Sequence, residues 1–100
     1  MAEIFVTPGE LRSKAAELRE LNAQFKTNVE ELTATEGSLS SMWEGQAHDA
    51  FRSAFETDKG QWETFHTTIE NYCITLENIA TEYENAENKN AETASTRTYR

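Results

Sequence analysis

FRSAFETDKGQWETFHTTIENYCITLENIATEYENA, residues 51–86, carries the strongest periodicity in the chain and decides the fold. Phe51, Phe55, Asp58, Trp62, Phe65, Ile69, Tyr72, Leu76, Ile79, Tyr83 and Ala86 follow one another at alternating spacings of four and three without a slip. Such spacing returns to one face of an α-helix, because a 3.6-residue turn stacks positions i, i+3, i+4 and i+7. On the same frame Asp49, Glu56, Glu63, Glu70, Glu77 and Glu84 share one other position. One face is therefore aromatic and aliphatic, and another carries a ladder of carboxylates. The pattern predicts a helix over roughly residues 47–88, about 40 residues and hence about 60 Å long. Gly60 falls on its outer face, where it lowers helix propensity without breaking packing. Asp58 is the one polar member of the apolar row. A lone buried carboxylate is costly, so Asp58 is expected at the edge of an assembly facing solvent or a lysine, with a role in fixing register as the alternative.

Upstream, Ser38-Leu39-Ser40-Ser41-Met42-Trp43-Glu44-Gly45 interrupts the rhythm. Serines compete with the helix backbone for hydrogen bonds, and Gly45 allows the positive φ that a chain reversal often needs. A turn is predicted over about residues 41–46. Before it, Leu11, Leu18, Phe25, Leu32 and Leu39 recur at every seventh residue, with Ala15, Asn22, Val29 and Glu36 following the first four by four residues. This is the seam of a second long helix, over about residues 8–40, weakened at Asn22 and Glu36. Thr7 can cap it, Pro8 suits its first position, and Glu10 completes a capping-box spacing. Beyond Glu87 the sequence NKNAETASTRTYR has no apolar rhythm, so residues 89–100 are expected to form a frayed or flexible tail.

Two long helices joined by a short turn fold back antiparallel. The fold class is thus all-α, a two-helix hairpin in a single domain of 100 residues. A hairpin buries one seam per helix, and so small a chain removes little surface from water. The apolar seam positions Leu18, Phe25, Val29 and Leu32, together with Phe51, Phe55, Trp62, Phe65, Ile69, Tyr72, Leu76 and Ile79, exceed what one facing helix covers. Leu21, Ala54, Cys73 and Ala80 widen the faces at flanking positions. Two hairpins dimerising into a four-helix bundle would cover them, and an isolated monomer is expected to be only weakly stable.

The formal net charge of −9 argues against nucleic-acid or acidic-membrane partners, since like charges repel. Ten aromatic residues and a hydrophobic content of 37% argue equally against a disordered acidic tail. Cys73 is the single cysteine, read as a helix-flank residue; one thiol forms neither an intrachain disulfide nor a cysteine zinc site. The cluster Ile4-Phe5-Val6 is far shorter than the apolar run of about 7–15 residues in a secretory signal. No stretch approaches the roughly 20 apolar residues of a membrane span, so no stable membrane insertion is expected. By the ordinary route the chain stays in the cytoplasm; an export signal, if present, lies in the folded body or at the C-terminus.

Trp43-Glu44-Gly45 between two long helices, the opening IFVTPGELRSKAAEL, and Tyr83-Glu84-Asn85-Ala86-Glu87 near the end of the second helix resemble the WXG family. These are the small ESAT-like proteins (early secreted antigenic target family) of type VII secretion. The resemblance spans about Ile4 to Glu87, and the last motif matches the family's export pattern of Tyr, three residues, then Asp or Glu. It implies a homodimer, or a pair with a second WXG-family protein, in which the Trp43/Gly45 turn of one subunit lies close to the Tyr83/Glu87 motif of the other. That composite surface would be presented to the type VII secretion ATPase. The implied localisation is cytoplasmic before export and extracellular after it, without a cleaved signal peptide. In the heptad frame alone Trp43 and Gly45 can simply cap and turn the hairpin, and Tyr83 can be core.

No catalytic residues, cofactor or metal are expected. His48 and His66 lie eighteen residues apart, and no His-x-x-x-His, phosphate loop or Gly-x-Ser-x-Gly is present. His48 and Asp49 are adjacent, and neighbouring side chains on a helix are not expected to face each other. The expectation is a secreted substrate and co-export factor; the alternatives are an accessory of a larger secreted toxin and a cytoplasmic coiled-coil adaptor.

Overall fold

The computed structural model describes the backbone of residues 6–98 and the side chains of residues 6–90. Ile4 and Phe5 of the opening motif, and Tyr99 and Arg100 of the tail, lie outside the described residues. Two helices account for the fold, α1 (Pro8–Ser40) and α2 (Gln46–Thr98), and there is no strand among the described residues.

Helix α1 begins as its sequence dictates. The Thr7 hydroxyl accepts the Glu10 amide at 3.1 Å and the Thr7 carbonyl accepts the Leu11 amide at 3.0 Å. Pro8 follows at the position where a missing N–H costs nothing. At the other end Ser41 N–H reaches the Gly37 carbonyl and Met42 N–H the Leu39 carbonyl, tightening the last turn. Gly45 then takes φ of +116°, and its carbonyl accepts the Asp49 amide to start α2. Threonines, poor in helix interiors, are accommodated by bonding back to the carbonyl four residues earlier, as at Thr57, Thr64, Thr67, Thr68, Thr75 and Thr81.

Helix α2 runs past residue 88, so the expected tail is helical to Thr98. Apolar rhythm reports burial, whereas helicity also propagates through polar residues once a nucleus exists. Residues 89–98 contain no Gly or Pro to stop it.

The chain divides into two compact units, Arg19–Glu70 and Met1–Leu18 with Asn71–Arg100, here the turn unit and the terminal unit. In the terminal unit the helices meet through Ala15, Cys73 and Ala80, each with no solvent exposure. Leu11, Leu18, Leu76, Ile79 and Tyr83 are half-buried around them. Arg12 spans the pair, with Nη1 2.9 Å from Glu84 Oε2 and Nη2 donating to Glu84 Oε1 and Thr81 Oγ1 at 3.4 Å.

In the turn unit the buried positions are polar: Asn22 at 3%, Glu36 at 8% and His48 at 8% exposure. Asn22 Nδ2 donates across to the His66 carbonyl at 2.9 Å and to Glu70 Oε1 at 3.0 Å. Arg19 Nε stands 3.7 Å from Glu70 Oε2. Phe25 and Phe65 stack at 5.3 Å, and Phe55 meets Trp62 edge-on at 5.5 Å.

This corrects the expected seam in part. On α1 the seam positions Ala15, Asn22 and Glu36 are buried, as their spacing predicts. The large side chains of the seam are not. Leu18, Phe25, Val29, Phe55, Trp62, Ile69, Leu76 and Ile79 are half-buried, while Leu32, Phe51, Phe65 and Tyr72 are exposed. On α2 the least exposed residues of the terminal unit are Cys73 and Ala80, each one position on from Tyr72 and Ile79 of the apolar row. Small side chains let two backbones approach, so they occupy the contact line and large rings are displaced to its flanks. Cys73 and Ala80, read as flanking, are at the centre. Asp58 is exposed, on the same heptad row as Phe51, Phe65 and Tyr72.

Candidate functional site

Trp43 sits in the short link between α1 and α2, within the turn unit. Helix-breaking serines end α1, and Gly45 supplies the reversal. A side chain at position 45 would meet no steric neighbour, but φ of +116° strains any residue with a Cβ. The Trp43 ring is half-buried and packs against two other rings, His48 at 5.4 Å and Phe51 at 5.8 Å. Phe51 continues to Phe55 at 6.3 Å, so an aromatic strip leads from the turn along α2.

Behind the indole lies a polar chain that the heptad reading does not single out. His48 Nε2 is 2.9 Å from Ser40 Oγ, and the Ser40 hydroxyl donates to Glu36 Oε1 at 2.7 Å. His48 Nδ1 is 3.5 Å from Asp49 Oδ1, so these adjacent residues do come together, contrary to expectation. The first turn of a helix, where the backbone is still turning in from a glycine, relaxes the divergence of neighbouring side chains. A serine hydroxyl carries one proton, and here it is committed to Glu36. With that proton on Glu36, the Ser40 oxygen faces the imidazole as an acceptor. The signal is present in the sequence as Glu36 and Ser40 four residues apart on the α1 inner row, but a serine before a turn reads first as a helix terminator.

Tyr83 and Glu87 lie one turn apart on α2 in the terminal unit, Tyr83 half-buried and Glu87 exposed. Residues four apart share a helix face, so the phenol and the carboxylate are displayed side by side. Each half of the predicted signal is thus ordered, the Trp43/Gly45 half in one unit and the Tyr83/Glu87 half in the other.

The surface between the helices of the turn unit has an open groove floored by Phe25, Val29 and Trp62 and edged by Lys26, Glu63 and His66. Among the described residues no group of three or more His, Cys, Asp or Glu side chains could hold a metal, and no helix is long and apolar enough to cross a membrane.

Residues 3–93 match WXG100, the family of proteins of 100 residues with WXG. The chain belongs to that family. It is 30% identical over 70 residues to the type VII secretion system extracellular protein A of Staphylococcus aureus strain USA300, an alignment covering 70% of this chain and 72% of the relative. The crystal structure of the secreted protein EsxB from Bacillus anthracis strain Sterne is similar with a TM-score of 0.75 at 26% identity, covering 87% of this chain and 99% of that one. EsxA of Geobacillus thermodenitrificans shares the fold, with a TM-score of 0.78 at 23% identity over 91% of this chain and 98% of that one. The all-α hairpin and its Trp43-x-Gly45 link are those of a WXG100 protein.

Proposed function

We propose that this WXG100 chain is a substrate and co-export factor of a type VII secretion system, exported as a homodimer without a cleaved signal peptide and serving no enzymatic role. The observation that carries the reading is that one chain holds both an ordered Trp43/Gly45 turn and a helical Tyr83/Glu87 pair, so a self-pair has every part. Its relatives of similar length are named extracellular proteins of type VII secretion. Leu32, Leu39, Phe51 and Phe65, exposed in the turn unit, and Tyr72, exposed in the terminal unit, are the apolar surface a second hairpin would cover. Completing a four-helix bundle would set the Trp43 turn of one subunit beside Tyr83 and Glu87 of its partner, for recognition by the secretion ATPase. The protein is cytoplasmic until that recognition and extracellular afterwards.

The test is export from the source bacterium, quantified in cells and medium for the wild type and for Tyr83→Ala. Wild type outside without lysis markers, and a folded variant retained inside, is the expected result. Retention of both would leave a dimeric cytoplasmic adaptor as the better account.

A further inference from the structure

The link between α1 and α2 is mostly open to water: Met42, Glu44 and Gly45 are exposed, yet Trp43 between them is packed against two rings. Of its two ring neighbours, Phe51 is 41% exposed and His48 only 8%, so the firm wall is the imidazole. That wall is itself held. Ser40, at the last position of α1, has its proton on Glu36, so its oxygen accepts from His48 Nε2–H. This contact holds the ring plane of His48 against the indole. Asp49 Oδ1 stands against the other ring nitrogen.

A wall needed only for its volume would be met by leucine. Burying a carboxylate and an imidazole costs free energy unless their partners are in place, and the return on such a network is direction, since hydrogen bonds orient a ring where apolar contacts let it turn. The polar chain reaches the indole through the His48 ring, the member of it that stands against Trp43.

We infer that Glu36, Ser40 and His48 are positioning residues for Trp43: the chain running from the end of α1 to the start of α2 sets the orientation in which the indole is offered to a partner. The inference rests on the export reading for its purpose, but not for its geometry. A polar partner surface that meets the exposed edge of the indole, rather than a greasy pocket that accepts it in any rotation, is the class of recognition such orientation serves.

The measurement is two-dimensional NMR of the two indole N–H groups in the full-length protein, with Trp62 as internal control and Trp62→Phe to assign them. In Ser40→Ala and His48→Ala the Trp43 indole is expected to lose order, its order parameter falling below about 0.6, while Trp62 keeps its value. His48→Gln, which retains a donor toward Ser40, is expected to restore Trp43. Export of the two alanine variants should fall about tenfold, toward the level of Trp43→Ala, and recover with the glutamine. A rigid Trp43 indole in both alanine variants overturns the inference. So does His48→Leu that holds the indole and supports export as well as histidine does, because volume alone would then suffice. Normal export of Trp43→Ala would sink the export reading instead, while the indole spectra still decide whether the chain positions the ring.

Discussion

In the terminal unit the helices meet through Ala15, Cys73 and Ala80, whereas in the turn unit the buried positions are Asn22, Glu36 and His48. The first set has almost no side chain and lets backbones approach, so attraction comes from many close contacts with no preferred partner atom. The second set consists of groups that are costly to bury and are placed by hydrogen bonds. Asn22 bonds a backbone carbonyl of the facing helix, and His48 bonds Ser40. Closeness governs one unit and orientation the other. The contrast also explains where the rings go: with small or polar residues on the contact line, Phe51, Phe65 and Tyr72 are left outside.

Four sets of substitutions put this contrast at risk. The largest effect is expected where the rings are left outside. Phe51→Glu with Phe65→Glu should abolish the proposed dimer in sedimentation equilibrium, since each ring withdrawn from an interface forfeits about 1.5–3 kcal/mol and two together weaken association at least ~100-fold. Helix content should survive, as neither ring is buried within the single chain. Next, Ala80→Leu tests closeness: a branched side chain at a position of no exposure should cost about 1–3 kcal/mol, read by calorimetry. Asn22→Leu tests orientation. Asn22 Oδ1 is buried without a hydrogen-bond partner, so the leucine removes an unsatisfied atom along with two donated bonds. Stability in urea should then stay within about 1 kcal/mol of wild type. A loss as large as that of Ala80→Leu would show that the turn unit depends on this bond for energy as well as geometry. The smallest effect is expected at Arg12→Ala, whose pair with Glu84 is largely solvated. About 0.5 kcal/mol or less should be lost, and salt at about 1 M should erase the difference.

Much of this architecture is legible in the sequence because it is written locally. Thr7 and Pro8 mark the start of α1, and Gly45 marks the reversal, since each supplies a backbone condition that few residues meet. The alternation from Phe51 to Ala86 marks α2. What periodicity misplaces is the buried row of α2; on α1 the row of Ala15, Asn22 and Glu36 is buried as its spacing predicts. The apolar stripe of α2 includes rings that α1 leaves exposed, and the bulkiest residues dominate any reading of it. The least exposed residues of α2 are Cys73 and Ala80, whose small size makes them inconspicuous. The end of α2 escapes the same reading because residues 89–98 are polar; polarity signals solvent, not the absence of a helix. The Glu36–Ser40–His48 chain is only half legible, through the Glu36/Ser40 spacing, for another reason. It joins residues on both sides of a turn, and its members each have a commoner local explanation. Of the proposed export signal, Trp43 and Tyr83 can be named from motif spacing, but the ring neighbours of Trp43 follow only from the fold.

Cys73 is a free thiol with no solvent exposure, in a chain with no other sulfhydryl. A thiol reacts only when a reagent can reach it, so this one is silent while the terminal unit stays closed and becomes reactive each time the unit opens. The thiol is therefore a built-in reporter of opening. If the proposed export holds, a maleimide supplied during it would mark copies whose helices part on the way and spare copies that cross with them together.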